Sequence, residues 1–154
     1  MNNTRQILAQ VEALIERAGS DCLQDLCALL QRERPHYNWV GFYFVEGNEL
    51  VLGPFVGAPS PHVRIPIGKG ICGAAVAERQ TVVVPDVNAD PRYLACSIQT
   101  KSEIVVPIEH EGRIVGEIDI DSHTRNAFTI DDRSLLEAIA RRVAPVLASR
   151  VQSA

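Results

Sequence analysis

The sequence predicts an α+β fold, a sheet of about six mainly antiparallel strands flanked by helices. Two amphipathic helices open the chain, apolar runs paired through turn residues fill its middle, and a further amphipathic helix closes it. No regular β-α alternation is present, which argues against a doubly wound parallel sheet. The 154 residues, 46% of them hydrophobic, amount to about one domain with its own core.

Residues Thr4 to Arg17 place Ile7, Val11, Leu14 and Ala18 at helical spacing, and Ser20 and Asp21 read as the cap of a second helix running to about Arg34. On that helix Cys22 shares a stripe with Leu26, Leu29 and Leu30 and reads as a small core residue, while Cys27 lies off the stripe. Pro35 stops the helix. Asn38 to Val45 and Glu49 to Leu52 then read as a hairpin around Gly47, followed by a Gly- and Pro-rich loop from Gly53 to Pro61. A short strand, Val63 to Ile67, leads through a glycine-spaced turn into a short helix, about Ile71 to Glu78, and a brief strand from Thr81 to Val84. From Pro85 to Thr100 the pattern loses its period, as expected of an irregular excursion over one edge of the fold. Ile104 to Ile108 and Ile114 to Ile120 form a second hairpin. Thr129 caps the last helix, Asp131 and Asp132 sit in its positive first turn, and Leu135, Leu136, Ile139, Val143 and Leu147 form its apolar stripe. The expected organisation is a single domain over 1–154, with two N-terminal helices (about 4–34), a sheet core (about 38–122) and a C-terminal helix (about 130–150).

Fifteen basic against nineteen acidic residues give a net charge of −4, which offers no basic footprint for a nucleic acid backbone. No window approaches the ~18 apolar residues of a membrane span, and the N-terminus lacks a signal-peptide core, so a cytoplasmic protein is expected. Its four cysteines, Cys22, Cys27, Cys72 and Cys96, are then reduced by default. There is no C-x-x-C or H-E-x-x-H and the histidines are scattered, so neither a metal nor another cofactor is expected.

Gly68, Gly70 and Gly73 match the G-x-G-x-x-G phosphate-binding pattern, with Asp86 and Asp90 about 20 residues on. The context argues against a dinucleotide: Pro66 interrupts the preceding strand, the helix has about two turns, and no second β-α-β half follows. A tight turn that starts a helix is the simpler reading.

Chemistry concentrates elsewhere. Strand period places Glu117, Asp119 and Asp121 on one face, with Ile118 and Ile120 on the other. Exposed, these acids are a solvated edge; lining a cleft, each raises its neighbour's pKa and one stays protonated near neutral pH. Glu103 joins that face or leaves it according to the hairpin turn. A three-residue loop (His110, Glu111, Gly112) pairs Glu109 with Arg113 and Glu103 with Asp119, whereas a two-residue loop sends Glu103 to the opposite face. Cys96 lies in the irregular excursion. Cys72 lies at the start of the short helix, where the dipole lowers a thiol pKa. Thiols beside clustered acids suggest redox chemistry on a substrate whose oxygen must be protonated before it leaves.

Five segments together resemble the free methionine-R-sulfoxide reductases, which are built on a GAF domain: Asn38 to Tyr43, Leu52 to Phe55, Arg64 to Gly73, Ser102 to Pro107 and Asp119 to Ser122. The likeness covers roughly Pro35 to Leu147. It implies a six-stranded GAF sheet, often a homodimer, that reduces free L-methionine-(R)-sulfoxide and not methionine within proteins. By the same resemblance Cys96 matches the thiol that attacks the sulfoxide sulfur, Glu103, Asp119 and Asp121 match the acids that hold and protonate its oxygen, and Trp39 and Tyr43 match aromatic residues at the substrate's methyl end. The implied sequence runs through a cysteine sulfenic acid to a disulfide reduced by thioredoxin. Family members usually carry a further, resolving cysteine where this chain has His62. Cys72 stands in for it, in which case the attacking thiol is exchangeable between Cys72 and Cys96, or a small-molecule thiol reduces the sulfenic acid directly; the alternative is a GAF module that binds a small ligand without turnover.

Overall fold

The computed structural model describes residues 3–95 and 97–153. Helices α1 (Thr4–Ala18) and α2 (Cys22–Glu33) precede strands β1 (Trp39–Glu46), β2 (Glu49–Val56) and β3 (Arg64–Pro66). The short helix α3 (Gly70–Glu78) and strand β4 (Val82–Val84) lead to the long hairpin β5 (Ser102–His110) and β6 (Arg113–Ser122), and α4 (Ile130–Ser153) closes the chain. Every strand pairing is antiparallel, in the order β3-β2-β1-β6-β5-β4. The α+β sheet expected from the hydrophobic periods is therefore the fold.

Alternation along the central strands divides the molecule into two layers. Val40 and Phe42 of β1, Ile118 and Ile120 of β6, and Ile104, Val106 and Ile108 of β5 face α1, α2 and α4 and form the larger core. The other face presents Trp39, Tyr43 and Val105 to α3, in a smaller core completed by Leu50, Ile65, Ile71, Ala75 and Val76. Cys22 and Cys27 are both fully buried in the larger core, Cys27 with its thiol 3.7 Å from the Pro54 carbonyl oxygen. The start of α4 is fixed there as well: the Thr129 N–H donates to Asp132 Oδ2 at 2.7 Å, and the buried Tyr37 hydroxyl donates to Asp132 Oδ1 at 2.5 Å.

Two local readings need correction. The segment expected to be a loop from Gly53 is strand as far as Val56, because Pro54 and its neighbours lie beyond the three residues that pair with β3 and need no ladder bond on that edge. The second hairpin turns on two residues, Glu111 (φ 51°) and Gly112 (φ 81°), so His110 and not Glu109 pairs with Arg113. Alone, that turn sends Glu103 to the wrong face. A bulge corrects it: the pairing passes from Glu109 with Ile114 to Ile108 with Gly116, and Val115 is the extra residue. Glu103 then stands opposite Asp121, not Asp119, and on the acidic face.

The glycine motif is a turn. Gly68 and Gly70 take positive φ (95° and 70°), and Gly68 N–H donates to the Gly73 carbonyl at 2.9 Å. A Cβ on Gly73 would stand 2.7 Å from the Pro66 carbonyl oxygen, so the third glycine permits the close packing of helix on turn. The preceding strand, β3, is an antiparallel edge, not the first half of a β-α-β unit.

Candidate active site

The antiparallel register fixes which side chains meet. Trp39 stands opposite Asp121, Gly41 opposite Asp119 and Tyr43 opposite Glu117 across β1 and β6, while Glu103 faces Asp121 across β5 and β6. Directly opposed residues share a face, so two aromatics and four carboxyl groups lie on the side of the sheet covered by α3. Cys72, third residue of α3, comes down onto this face with its sulfur 3.9 Å from Glu103 Oε2.

Between sheet and helix lies a cavity with about 400 Å³ of empty space, part of it open to solvent. Trp39, Tyr43, Cys72, Glu103, Asp119 and Asp121 all line it, so six of the seven site residues expected from the sequence converge there. The seventh, Cys96, lies outside the described residues. Ser60, His62, Ile65, Gly70, Ile71, Tyr93 and Leu94 complete the wall. Tyr93 and Leu94 come from the excursion that lacks period and cannot be assigned a face from sequence; His62 is flagged only by the family pattern.

Hydrogen bonds hold the walls. The Trp39 indole donates to the Ala58 carbonyl at 2.9 Å and stacks on Phe55 with ring centroids 5.5 Å apart. The Tyr43 hydroxyl donates to the His62 carbonyl at 2.8 Å, and the His62 Nε2 lies 3.1 Å from the Ala95 carbonyl. A carbonyl only accepts, so this nitrogen carries the proton. Loops from two different edges are thus tied together at the rim.

The electrostatics follow from burial. Glu103, Asp119 and Asp121 are each 5% exposed, and Glu117 not at all. Burial, then the charge of Asp119, raises the Glu117 carboxyl well above the usual range, with a nearby Cys72 thiol pulling the other way. Neither oxygen of Glu117 has a hydrogen-bond partner among the described residues, and Glu117 is not among the residues that line the cavity. Burial also raises Asp119, against hydrogen bonding with Glu103 and Cys72 and the charge of His62. All four acids are buried, and Glu103, Asp119 and Asp121 line the cavity; the solvated-edge reading is excluded.

Cys72 departs from expectation. Its position near the start of α3 predicts a depressed thiol pKa, but burial, followed by Asp119, Glu117 and Glu103, pushes it well above the usual thiol value. Three acids in a desolvated pocket outweigh the dipole of a nine-residue helix. The resting group is a neutral thiol able to donate, beside acids able to hold or release protons.

The GAF domain family model matches residues 9–147. The free methionine-R-sulfoxide reductase of Escherichia coli is 40% identical over 127 residues, spanning 82% of this chain and 76% of that protein. The free methionine-R-sulfoxide reductase of Neisseria meningitidis, solved in complex with its substrate, aligns with a TM-score of 0.89 at 37% identity, covering 98% of this chain and 92% of that one. The reduced form of fRMsr of Staphylococcus aureus aligns with a TM-score of 0.88 at 44% identity over 96% of each chain.

Proposed function

Because this chain belongs to the GAF domain family, and within it to the free methionine-R-sulfoxide reductases, we propose that it reduces free L-methionine-(R)-sulfoxide to L-methionine. The observation that carries the reading is the convergence of Glu103, Asp119, Asp121 and Cys72 on one small cavity with an aromatic wall of Trp39 and Tyr43.

Cys96 is the nucleophile. Its thiolate attacks the sulfoxide sulfur while a carboxylic acid among Glu103, Asp119 and Asp121 gives its proton to the oxygen; the oxygen passes to Cys96, leaving a sulfenic acid, methionine and an ionised carboxylate. Burial raises the Asp119 carboxyl and so favours its protonated form, which supports a proton donor for this step. Cys72, a poor attacker because its thiol is held neutral, suits the second half. The carboxylate just formed takes the Cys72 proton, the new thiolate attacks the Cys96 sulfur, and the hydroxyl leaves as water with one proton. Thioredoxin, or a small-molecule thiol, reduces the resulting disulfide. Tyr93 and Leu94, which precede Cys96 in sequence and line the cavity, support its reaching the substrate. The methyl end of the substrate lies against Trp39 and Tyr43. We place the enzyme in the reducing cytoplasm as a homodimer, the whole chain forming one GAF domain; light scattering on the purified protein tests the assembly.

The test supplies both sulfoxide epimers with dithiothreitol, then with thioredoxin and its reductase, and follows methionine release. Turnover of the R epimer alone is expected, lost in Cys96→Ser, whereas Cys72→Ser keeps the dithiothreitol reaction and loses the thioredoxin-coupled one. No release with either reductant refutes the assignment, and release that survives Cys96→Ser but is lost in Cys72→Ser exchanges the roles of the two thiols.

A further inference from the structure

Cys72, Glu103 and Asp119 reach the cavity from three separate elements, α3, β5 and β6. One ligand atom of each lies within 4.8 Å of the other two, and all three residues are buried. A tetrahedral ion bound at ~2.3 Å to sulfur and ~2.0–2.2 Å to carboxylate oxygen sets neighbouring ligand atoms about 3.5 Å apart. The Cys72 sulfur and Glu103 Oε2 are already at 3.9 Å, so side-chain adjustments of about an ångström close the triangle. A second observation points the same way: Asp119 Oδ1 is buried and has no hydrogen-bond partner among the described residues. Among the described residues lining the cavity there is no lysine or arginine, and His62 alone can carry positive charge against three carboxyl groups. The donor set is one sulfur with two oxygens, which favours ions that accept thiolate, such as Zn²⁺ and Co²⁺, over Mg²⁺ and Ca²⁺.

We propose that Cys72, Glu103 and Asp119 form a binding site for a thiophilic divalent cation of the Zn²⁺ class, and that an ion bound there excludes the sulfoxide. Binding exchanges the Cys72 S–H for a metal–sulfur bond and releases that proton to solvent. Both carboxylates complete the set, and nothing is oxidised or reduced. The exclusion rests on the function proposed above, because the same acids are to hold the sulfoxide oxygen; the metal site itself does not.

Co²⁺ serves as the probe, added anaerobically to fully reduced protein. The expected result is one equivalent bound, with a thiolate-to-cobalt charge-transfer band in the near ultraviolet. That band is absent in Cys72→Ser and retained in Cys22→Ser, Cys27→Ser and Cys96→Ser. Asp119→Asn, which keeps the side-chain volume, weakens Co²⁺ binding about tenfold or more and carries the test should Cys72→Ser not fold by circular dichroism. No band in the wild type, a band that persists in folded Cys72→Ser, or undiminished affinity in Asp119→Asn overturns the site. Free methionine sulfoxide is then titrated into cobalt-loaded Cys96→Ser. Bleaching of the band supports exclusion, and a band that survives saturating sulfoxide overturns it, provided the metal-free wild type releases methionine. Absence of that release, with the cobalt band present, refutes the reductase reading and leaves the metal site standing.

Discussion

Gly41→Ala tests how the aromatic wall is held. Gly41 stands opposite Asp119 in β1, on the face that carries Trp39, and a Cβ there would lie 2.4 Å from Trp39 Cη2, 2.6 Å from Cζ3 and 3.0 Å from the Phe55 Cβ. Carbon atoms pack at about 3.5–4.0 Å, so the indole must retreat by about 1 Å or more. It cannot do so freely, because the Ala58 carbonyl holds its N–H at 2.9 Å and Phe55 stacks on its face. Overpacking of this kind costs roughly 1–3 kcal/mol of stability, and misplacing a positioning group by about 1 Å costs up to about 10²-fold in rate. The chain has a single tryptophan, so fluorescence reads this one side chain. We expect Gly41→Ala to shift the Trp39 emission to the red as the buried indole is pushed toward water, to lower the urea midpoint, and to reduce kcat/KM for the sulfoxide by ten- to a hundredfold. An unchanged emission maximum together with wild-type stability and kcat/KM refutes the proposed packing.

Three further outcomes follow from individual contacts. The thiols of Cys27, pushed up to about 12 by burial, and of Cys72, also raised, stay protonated in the native state, so native Cys96→Ser should alkylate very slowly with iodoacetamide at pH 8 and take up three equivalents in urea; rapid native alkylation at Cys72 contradicts its burial. Tyr37→Phe removes the buried donor to Asp132 and should cost about 1–3 kcal/mol in chemical unfolding, a loss below about 0.5 counting against that bond as a tie to α4. Asp90 accepts from the Arg92 side chain at 2.8 and 3.0 Å and from its backbone N–H at 2.8 Å, and the Arg92 side chain foremost holds its carboxyl below the usual range. A carboxyl depressed in the folded state stabilises above its unfolded pKa of about 3.9 and loses that contribution as pH falls. Asp90→Asn should therefore cost about 0.5–1 kcal/mol near pH 7 and progressively less below pH 4, and a cost independent of pH excludes the ionic explanation.

Much of the fold is legible locally. The periods of α1, α2, α4 and the central strands place the larger core, and the family pattern picks out six residues that line the cavity. Glu117 shows where local reading stops: strand period puts it with Asp119, but its complete burial depends on β1, β5 and Cys72 of α3 closing around it.

By itself the sequence determined that Glu117, Asp119 and Asp121 share a face, because alternation along a strand is a property of consecutive residues. Whether Glu103 joins them was decided only in three dimensions. A two-residue turn and a one-residue bulge each reverse the parity of β5 against β6, and together they restore it. Neither can be read singly from local pattern. The protonation of Cys72 was decided in the same way: position on a helix is local, but desolvation and the fields of three acids arise only when α3 packs on the sheet.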